Sequence, residues 1–397
     1  MTTRSLLNKL LPVALFGVYS WGCTVTSGEP GGSGGDQAGG AGGDQAGGAG
    51  GATASGGASG SGGTTVQKTF DPTKPPCDIY EEDGGPCVAA HSTIRRLRSA
   101  YDGPLYQIRV GGSKSGTGGS TTDIGFLDDG FADGAAQVTA CPDTETCTIS
   151  KIYDQSGKGN DLTVAPAGGA KKTPDNEANA KSLPVTIGGH DVFGVKIMPG
   201  IGYRDNTPNG TATGDGPQTV YMIVNGDSYN SGCCFDYGNA ETNSMDNGEG
   251  TMEAVYFGTC TFWNKGAGDG PWIMGDLENG LWAGDSSPYE GNQPITHKFI
   301  TGMVKGDSKS DTWPDGRWAI KVGNAQSGSL DFAFPEGKRP SDRYNPMRKE
   351  GAIILGTGGD NSNGAQGNWF EGLMTTHFSS NAADDAVQAN IVSAYGQ

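Results

Sequence analysis

From Pro104 onward the chain is a succession of short apolar or alternating runs, each closed by Gly, Asn, Asp or Pro. Pro104–Val110, Cys147–Tyr153, Thr219–Val224 and Arg317–Val322 are examples. Turn signals at such short intervals predict an all-β sandwich or barrel rather than βαβ units. Two helices are expected beside the strands. One covers Ala89–Tyr101, where Ile94, Leu97 and Tyr101 share a stripe, and the other is terminal, Ala382–Tyr395.

Within that frame, Trp272-Ile-Met-Gly-Asp-Leu-Glu-Asn-Gly-Leu-Trp282 carries the strongest chemical signal. Read as a strand, it turns Trp272, Met274, Asp276 and Glu278 to one face and Ile273, Leu277 and Leu281 to the other. The aliphatic face suits a packed core. Two acids beside an indole and a thioether suit a concave surface that holds a polar ring with apolar patches, such as a sugar. An isolated Asp-x-Glu is ordinarily a solvated acidic face, so the assignment needs support from elsewhere. Asp360 is a further candidate acid, because it follows Gly356-Thr-Gly-Gly359 at the end of the buried-looking strand Ala352–Leu355. Glycines there let backbone approach a ligand closely, although an acid after glycines, taken alone, reads as a turn residue. Neither this loop nor Gly111–Gly116 has the setting of a nucleotide-binding loop.

The amino-terminal part is of another kind. Arg4 and Lys9 precede the apolar run Leu10–Tyr19, which is too short to cross a bilayer and is laid out as a secretory signal. Cys23 follows Gly22 as the lipid-bearing cysteine of a bacterial lipoprotein would, although Ser20 and Trp21 fit that cleavage pattern poorly. A Gly-rich tract follows, in which Gly34-Gly-Asp-Gln-Ala-Gly-Gly-Ala41 repeats over Gly42–Ala49. Such a tract buries nothing and acts as a flexible tether. The expected organisation is residues 1–23 as signal, 24–63 as linker and 64–397 as one folded domain.

The net charge of -17 excludes a nucleic-acid partner, since no basic field is present to replace phosphate counterions. A neutral polysaccharide is compatible with it. The one dense basic run, Arg95-Arg-Leu-Arg98, reads as a solvated helix face. His91, His190, His297 and His377 are scattered without ligand spacing and no Cys-x-x-Cys accompanies them, so no metal and no cofactor is expected. Eight cysteines in an exported chain imply disulfides. Short loops favour Cys77 with Cys87 and Cys141 with Cys147. The adjacent Cys233 and Cys234 can close on each other only as a small ring, or one of them can pair with Cys260, and spacing does not choose.

Several longer segments then come together. They are Pro76-Cys-Asp-Ile-Tyr80 with Pro86-Cys-Val-Ala-Ala-His-Ser92, Ile152-Tyr-Asp-Gln-Ser-Gly157 with Gly159-Asn160, and Gly210-Thr-Ala-Thr-Gly-Asp215. Cys233-Cys-Phe-Asp-Tyr-Gly-Asn-Ala-Glu-Thr242, Gly266-Ala-Gly-Asp-Gly-Pro-Trp-Ile-Met274, Glu350-Gly-Ala-Ile-Ile-Leu-Gly356 and Gly358-Gly-Asp-Asn-Ser-Asn-Gly-Ala-Gln-Gly367 follow in order. In these motifs the chain, from about Cys77 to its end, resembles the glycoside hydrolase family 54 α-L-arabinofuranosidases.

The resemblance implies a β-sandwich of the jelly-roll or concanavalin kind with few short helices. It also implies a retaining hydrolase that removes terminal α-L-arabinofuranosyl side chains from the plant cell-wall polysaccharides arabinoxylan and arabinan. By the matched motifs, Glu278 is the nucleophile and Asp360 the general acid/base, with Cys233, Cys234, Trp263, Asp276, Asn279 and Gly359 lining the sugar pocket. The same motifs imply the bridges Cys77–Cys87, Cys141–Cys147 and Cys233–Cys234, leaving Cys260 outside them. Asp276, on the side of Glu278, is expected to bind a ring hydroxyl and to raise neighbouring pKa values through like charge. The family often adds a C-terminal arabinose-binding β-trefoil, for which no room is expected before Gln397. Polymer anchoring would then fall to the tether or to a membrane attachment at Cys23, with the domain acting as a monomer. Two alternatives stand beside this reading. One is a non-catalytic carbohydrate-binding surface protein on the same sandwich, and the other a glycosidase for a β-xyloside or galactofuranoside.

Overall fold

Two antiparallel sheets face each other in the computed structural model, which describes residues 68–396. The expected signal segment, Cys23 and the whole of the expected tether lie outside the described residues. One sheet has the order Cys87–Ser92, Gly367–Thr375, Gln218–Val224, Ile300–Asp307, Arg317–Asn324, Leu330–Gly337, with Val195–Ile197 also on Gly367–Thr375. The other runs Leu281–Trp282, Trp272–Asp276, Glu253–Gly258, Asp236–Ala240, Ala352–Leu355, Tyr203–Asp205, Leu162–Val164, Cys147–Ile152, Tyr106–Val110, Ser120–Ile124. This is the expected β-sandwich.

The inner faces meet through large side chains set opposite glycines. A Cβ on Gly302 would stand 2.5 Å from Ile273 Cδ1, and one on Gly372 would stand 2.6 Å from Tyr237 Cε1. Glycine at these two positions lets the opposite sheet's side chains reach the strand backbone, so the layers interlock there. The outer face of the first sheet is covered by the terminal helix Asn381–Tyr395, whose Asp384 Oδ2 accepts from Lys305 Nζ at 2.8 Å and Lys321 Nζ at 3.1 Å. Ser380 caps this helix, accepting from Ala383 N–H.

The other expected helix does not form. Cys87–Ser92 is a strand paired with Gly367–Thr375, and Ser92 Oγ then accepts from the N–H groups of Ile94 and Arg95, turning the chain out of the ladder. The stripe of Ile94 and Leu97 is buried, but in an irregular segment. Tertiary pairing overrides the local period here. Arg95 is accordingly no solvated residue. Its Nε and Nη2 each donate to Glu371 at 2.8 Å, and Glu371 also accepts from Tyr221 Oη at 3.1 Å and Tyr395 Oη at 2.9 Å.

Cys77 is bonded to Cys87 and Cys141 to Cys147. Asp175 ties down the loop after Ala352–Leu355, since its Oδ1 accepts from the side-chain amides of Asn361 and Asn363. Its Oδ2 meets no donor, and a Cβ on Gly202 would stand 2.4 Å from it. Burial pushes this carboxyl up to about 6 from an ordinary 3.8, against the hydrogen bonds of Asn363 and Asn361.

Two outcomes follow from this packing. Replacing Glu371 by Gln leaves the Arg95 charge buried without its counter-ion, and should cost about 3–5 kcal/mol in denaturant unfolding. Asp175 binds its proton more tightly folded than unfolded, so its contribution to stability is complete below about pH 4 and is lost as pH rises towards about 6. Asp175→Asn should therefore flatten the decline in melting temperature across that interval, and an unchanged decline would place its origin elsewhere.

Candidate functional site

The two faces of the ten-stranded sheet differ because the pleat sorts alternate residues. Cross-strand register puts Asp236 opposite Tyr256 and Tyr256 opposite Met274, while Asp276 lies opposite Ala254, Ala254 opposite Gly238, Gly238 opposite Ile354 and Ile354 opposite Arg204. Asp236, Met274, Asp276 and Arg204 thus share the outer face. The intervening Tyr237, Val255, Phe257, Ile273, Ile353 and Leu355 belong to the main core. Gly238, Ala240 and Ala254 keep the outer face low between the charged groups.

The strand carrying Asp276 is shorter than its sequence pattern implies. It ends at Asp276, and the chain reverses at once, with Asp276 opposite Leu281 and Gly275 opposite Trp282. Glu278 and Asn279 form the turn with φ of 60° and 53°. A two-residue hairpin turn of this kind needs positive φ at both centres, normally met by Asn-Gly. Glutamate there costs on the order of 1 kcal/mol, an outlier typical of functional positions. Glu278 N–H donates to Asp276 Oδ1 at 3.1 Å, so the two acids come together through the turn and not through strand alternation.

Against this turn lies the glycine loop that bears Asp360. A Cβ on Gly359 would stand 1.9 Å from Glu241 Oε2 and 2.9 Å from Glu278 Oε2, so both carboxyls rest on that glycine. Asp360 is half-buried, with Oδ1 accepting from Ser362 N–H at 2.9 Å and its carbonyl accepting from Ala170 N–H at 3.0 Å. Gly169 N–H in turn donates to the Ser244 carbonyl at 2.8 Å, joining the loop before Gly250 to the same corner.

Cys233 and Cys234 are bonded to each other at the foot of this loop. Cys234 N–H donates to the Ser362 carbonyl at 3.1 Å, and the Cys233 carbonyl accepts from Gly364 N–H at 3.0 Å. Both sulfurs lie within 4.8 Å of an Asp276 carboxyl oxygen. Sulfurs bonded to each other offer no thiolate to a cation, so this trio is a wall and not a metal centre. Cys260 sits outside the three bridges, buried in the apolar cluster of Cys234, Trp272 and Met274, with its N–H donating to Tyr256 Oη at 3.0 Å.

Glu278, Asp276, Asp360, Gly359, Cys233 and Cys234 are therefore brought together. Asn279 shares the turn with Glu278, and Trp263 is the exposed member of the predicted set. Trp263 is 41% exposed and packs edge-on against Phe262 at 4.7 Å between ring centroids. Asn279 spends its amide on the Gly248 carbonyl at 2.6 Å.

Three charged residues of the cluster escape sequence reasoning. Asp236 and Glu241 flank a fully buried strand, and Arg204 sits in a strand of three residues. The only signal was their place in the segments Cys233–Thr242 and Tyr203–Asp205, where charge is unexpected in a buried run. Arg204 Nη1 donates to the Gly359 carbonyl at 2.6 Å and Nη2 to the Glu241 carbonyl, bridging the two elements. Burial lowers its guanidinium to about 10, opposed by Glu241, Glu278 and Asp360. Burial pushes Asp276 up to about 7; Glu278 N–H and Asp236 oppose this, and Glu241 and Asp360 reinforce it. Asp236 is held well above the usual carboxylate range by burial and then by Asp276. Neither Asp236 oxygen meets a donor while both acids are ionised, whereas a proton on Asp236 directed at Asp276 replaces like-charge repulsion with a hydrogen bond. Glu278 is raised strongly by burial and then by Glu241 and Asp276.

Buried carboxyls gathered beside a disulfide, with a half-buried acid on the adjoining loop, have the chemistry of a glycoside-cleaving site. The family model described as "Alpha-L-arabinofuranosidase B, catalytic" matches residues 76–396. The chain is 53% identical over 325 residues to "Alpha-L-arabinofuranosidase" of Hypocrea jecorina, covering 80% of this chain and 62% of that one. It is 54% identical over 326 residues to "Probable alpha-L-arabinofuranosidase B" of Aspergillus fumigatus, with the same coverage. A solved arabinofuranosidase in complex with arabinofuranosyl-α-1,2-xylobiose superposes with a TM-score of 0.75 at 50% identity, over 80% of this chain and 65% of that one. The chain thus spans less than two thirds of the length of these relatives. Matched from Pro76 almost to its end, the chain belongs to the family of α-L-arabinofuranosidase B catalytic domains.

Proposed function

We propose that this domain is a retaining α-L-arabinofuranosidase that removes terminal non-reducing α-L-arabinofuranosyl side chains from arabinoxylan, arabinan and related oligosaccharides. The observation that carries the reading is the contact of Glu278, on its strained turn, with Gly359, the residue before Asp360. Retaining hydrolysis needs two carboxyls on either side of one bond, about 5–5.5 Å apart, one ionised and one protonated. Glu278 attacks the anomeric carbon. Asp360 gives its proton to the leaving oxygen, then takes one from the water that releases the sugar. The matched motifs carry that division of roles, since burial by itself would favour the proton on Glu278.

Asp276 is placed to accept a hydrogen bond from a ring hydroxyl, and the Cys233–Cys234 sulfurs offer an apolar wall to a small furanose. The relatives' names support the sugar. One of them, from Trichoderma koningii, is named "Arabinofuranosidase/B-xylosidase" and is 53% identical over 325 residues, which favours a β-xyloside as a second substrate. Disulfides agree with export. Attachment through Cys23, residues 64–397 as one catalytic domain, and action as a monomer complete the proposal.

The test is the initial rate of aryl α-L-arabinofuranoside cleavage. Glu278→Gln should lower kcat by on the order of 10⁴ or more with the fold intact, and retained turnover would refute its role. Gly359→Ala places a methyl where two carboxyls now rest. It should lower kcat about 100-fold while costing only about 1–3 kcal/mol of stability. A wild-type rate in that variant would mean that the carboxyl positions do not matter to turnover.

A further inference from the structure

We propose that Glu241 is a positioning residue for Glu278, holding one shared proton against the oxygen of Glu278 that does not attack. The inference rests on the reading of Glu278 as nucleophile. Glu241 follows the strand Asp236–Ala240, is fully buried, and is held at three points. Its Oε1 accepts from Thr251 Oγ1 at 2.8 Å, its carbonyl accepts from Arg204 Nη2, and its other oxygen abuts Gly359. That other oxygen, Oε2, meets no N–H or O–H donor among the described residues. Glu278 Oε2 lies within 2.9 Å of the same point above Gly359.

Two buried carboxylates in one such corner repel, and an oxygen without a donor is costly to bury. One proton between them removes both penalties. Glu241 Oε2–H then donates to Glu278, the pair carries a single negative charge, and the carboxylate has one orientation. The other charged groups around the corner are Asp276, Asp246, Asp236 and Asp360, all acidic, and Arg204. Acids outnumber the single cation, so the cluster favours retaining the proton.

The arrangement balances through the reaction. As a Glu278 oxygen bonds to the anomeric carbon, the glycosidic C–O bond breaks and the Asp360 proton goes to the leaving oxygen. The Glu241 proton stays on the pair throughout. In the glycosyl-enzyme it bonds the ester carbonyl of Glu278, and when water attacks it again supports the returning carboxylate.

The experiment uses the full chain and two substitutions, Glu241→Gln, whose amide still donates, and Glu241→Met, which fills the space without a donor. With an aryl α-L-arabinofuranoside, Glu241→Gln should keep kcat within about tenfold of wild type, and Glu241→Met should lose about 100- to 1000-fold in kcat with little change in KM. The infrared carbonyl band of buried protonated carboxyl groups, measured at neutral pH, should lose the intensity of a single group in Glu241→Gln. Should Glu241→Met not fold, the infrared comparison decides by itself, because an unchanged band in Glu241→Gln overturns the proposal. Wild-type kcat in a folded Glu241→Met overturns it too. A wild-type chain that releases no aryl group overturns the arabinofuranosidase reading and the role of Glu241 with it, whereas turnover in wild type with no effect of Glu241→Met overturns only the latter.

Discussion

Alternation along a handful of central strands couples the core of this protein to its chemistry. In Trp272–Asp276 and its neighbours, each residue turned inward packs against the opposite sheet, and each turned outward contributes to the face that carries the acids. Ile273 sits against Gly302, while Trp272 and Met274 on either side of it face out. A slip of one residue in register would exchange Asp236 with Tyr237 and Asp276 with Gly275, burying acids in the core. The inter-sheet packing therefore holds the carboxyls in place, although no carboxyl of the site belongs to that packing.

The site collects Asp236, Glu241, Asp276 and Glu278 around one guanidinium that spends hydrogen bonds on backbone carbonyls rather than on those acids. Such a set cannot be fully ionised at neutral pH, since burial and like charge both favour protonation. Protons kept between acids, as in Asp236 with Asp276, turn repulsion into hydrogen bonding and fix the side chains more narrowly than solvent could.

Loops supply the rest through unusual backbone. Glu278 and Asn279 adopt a left-handed turn, and Gly359 gives its Cα surface to two carboxyls. Asn361 and Asn363 reach down to Asp175, so the Asp360 loop is tied to the interior one and three residues beyond the acid. The disulfide Cys233–Cys234 grips the same loop by two backbone hydrogen bonds. Flexible-looking glycine sequence is here a set of close contacts.

Local pattern sufficed for the strands Gln218–Val224 and Ala352–Leu355, for the terminal helix, and for the facing of Trp272, Met274 and Asp276 opposite Ile273, because each depends on a short-range period. The nearness of Glu278 to the glycine loop before Asp360 and the three disulfides were legible through the family motifs. Period alone misread Ala89–Tyr101, where pairing with Gly367–Thr375 and the Arg95–Glu371 ion pair outweigh helix spacing. It also carried Asp276–Glu278 on as a strand, where the chain turns. Asp236, Glu241 and Arg204 became visible only in three dimensions. Their strands neighbour one another by long-range pairing, and the burial and shared protons that give these residues their character come from neighbours distant in the chain.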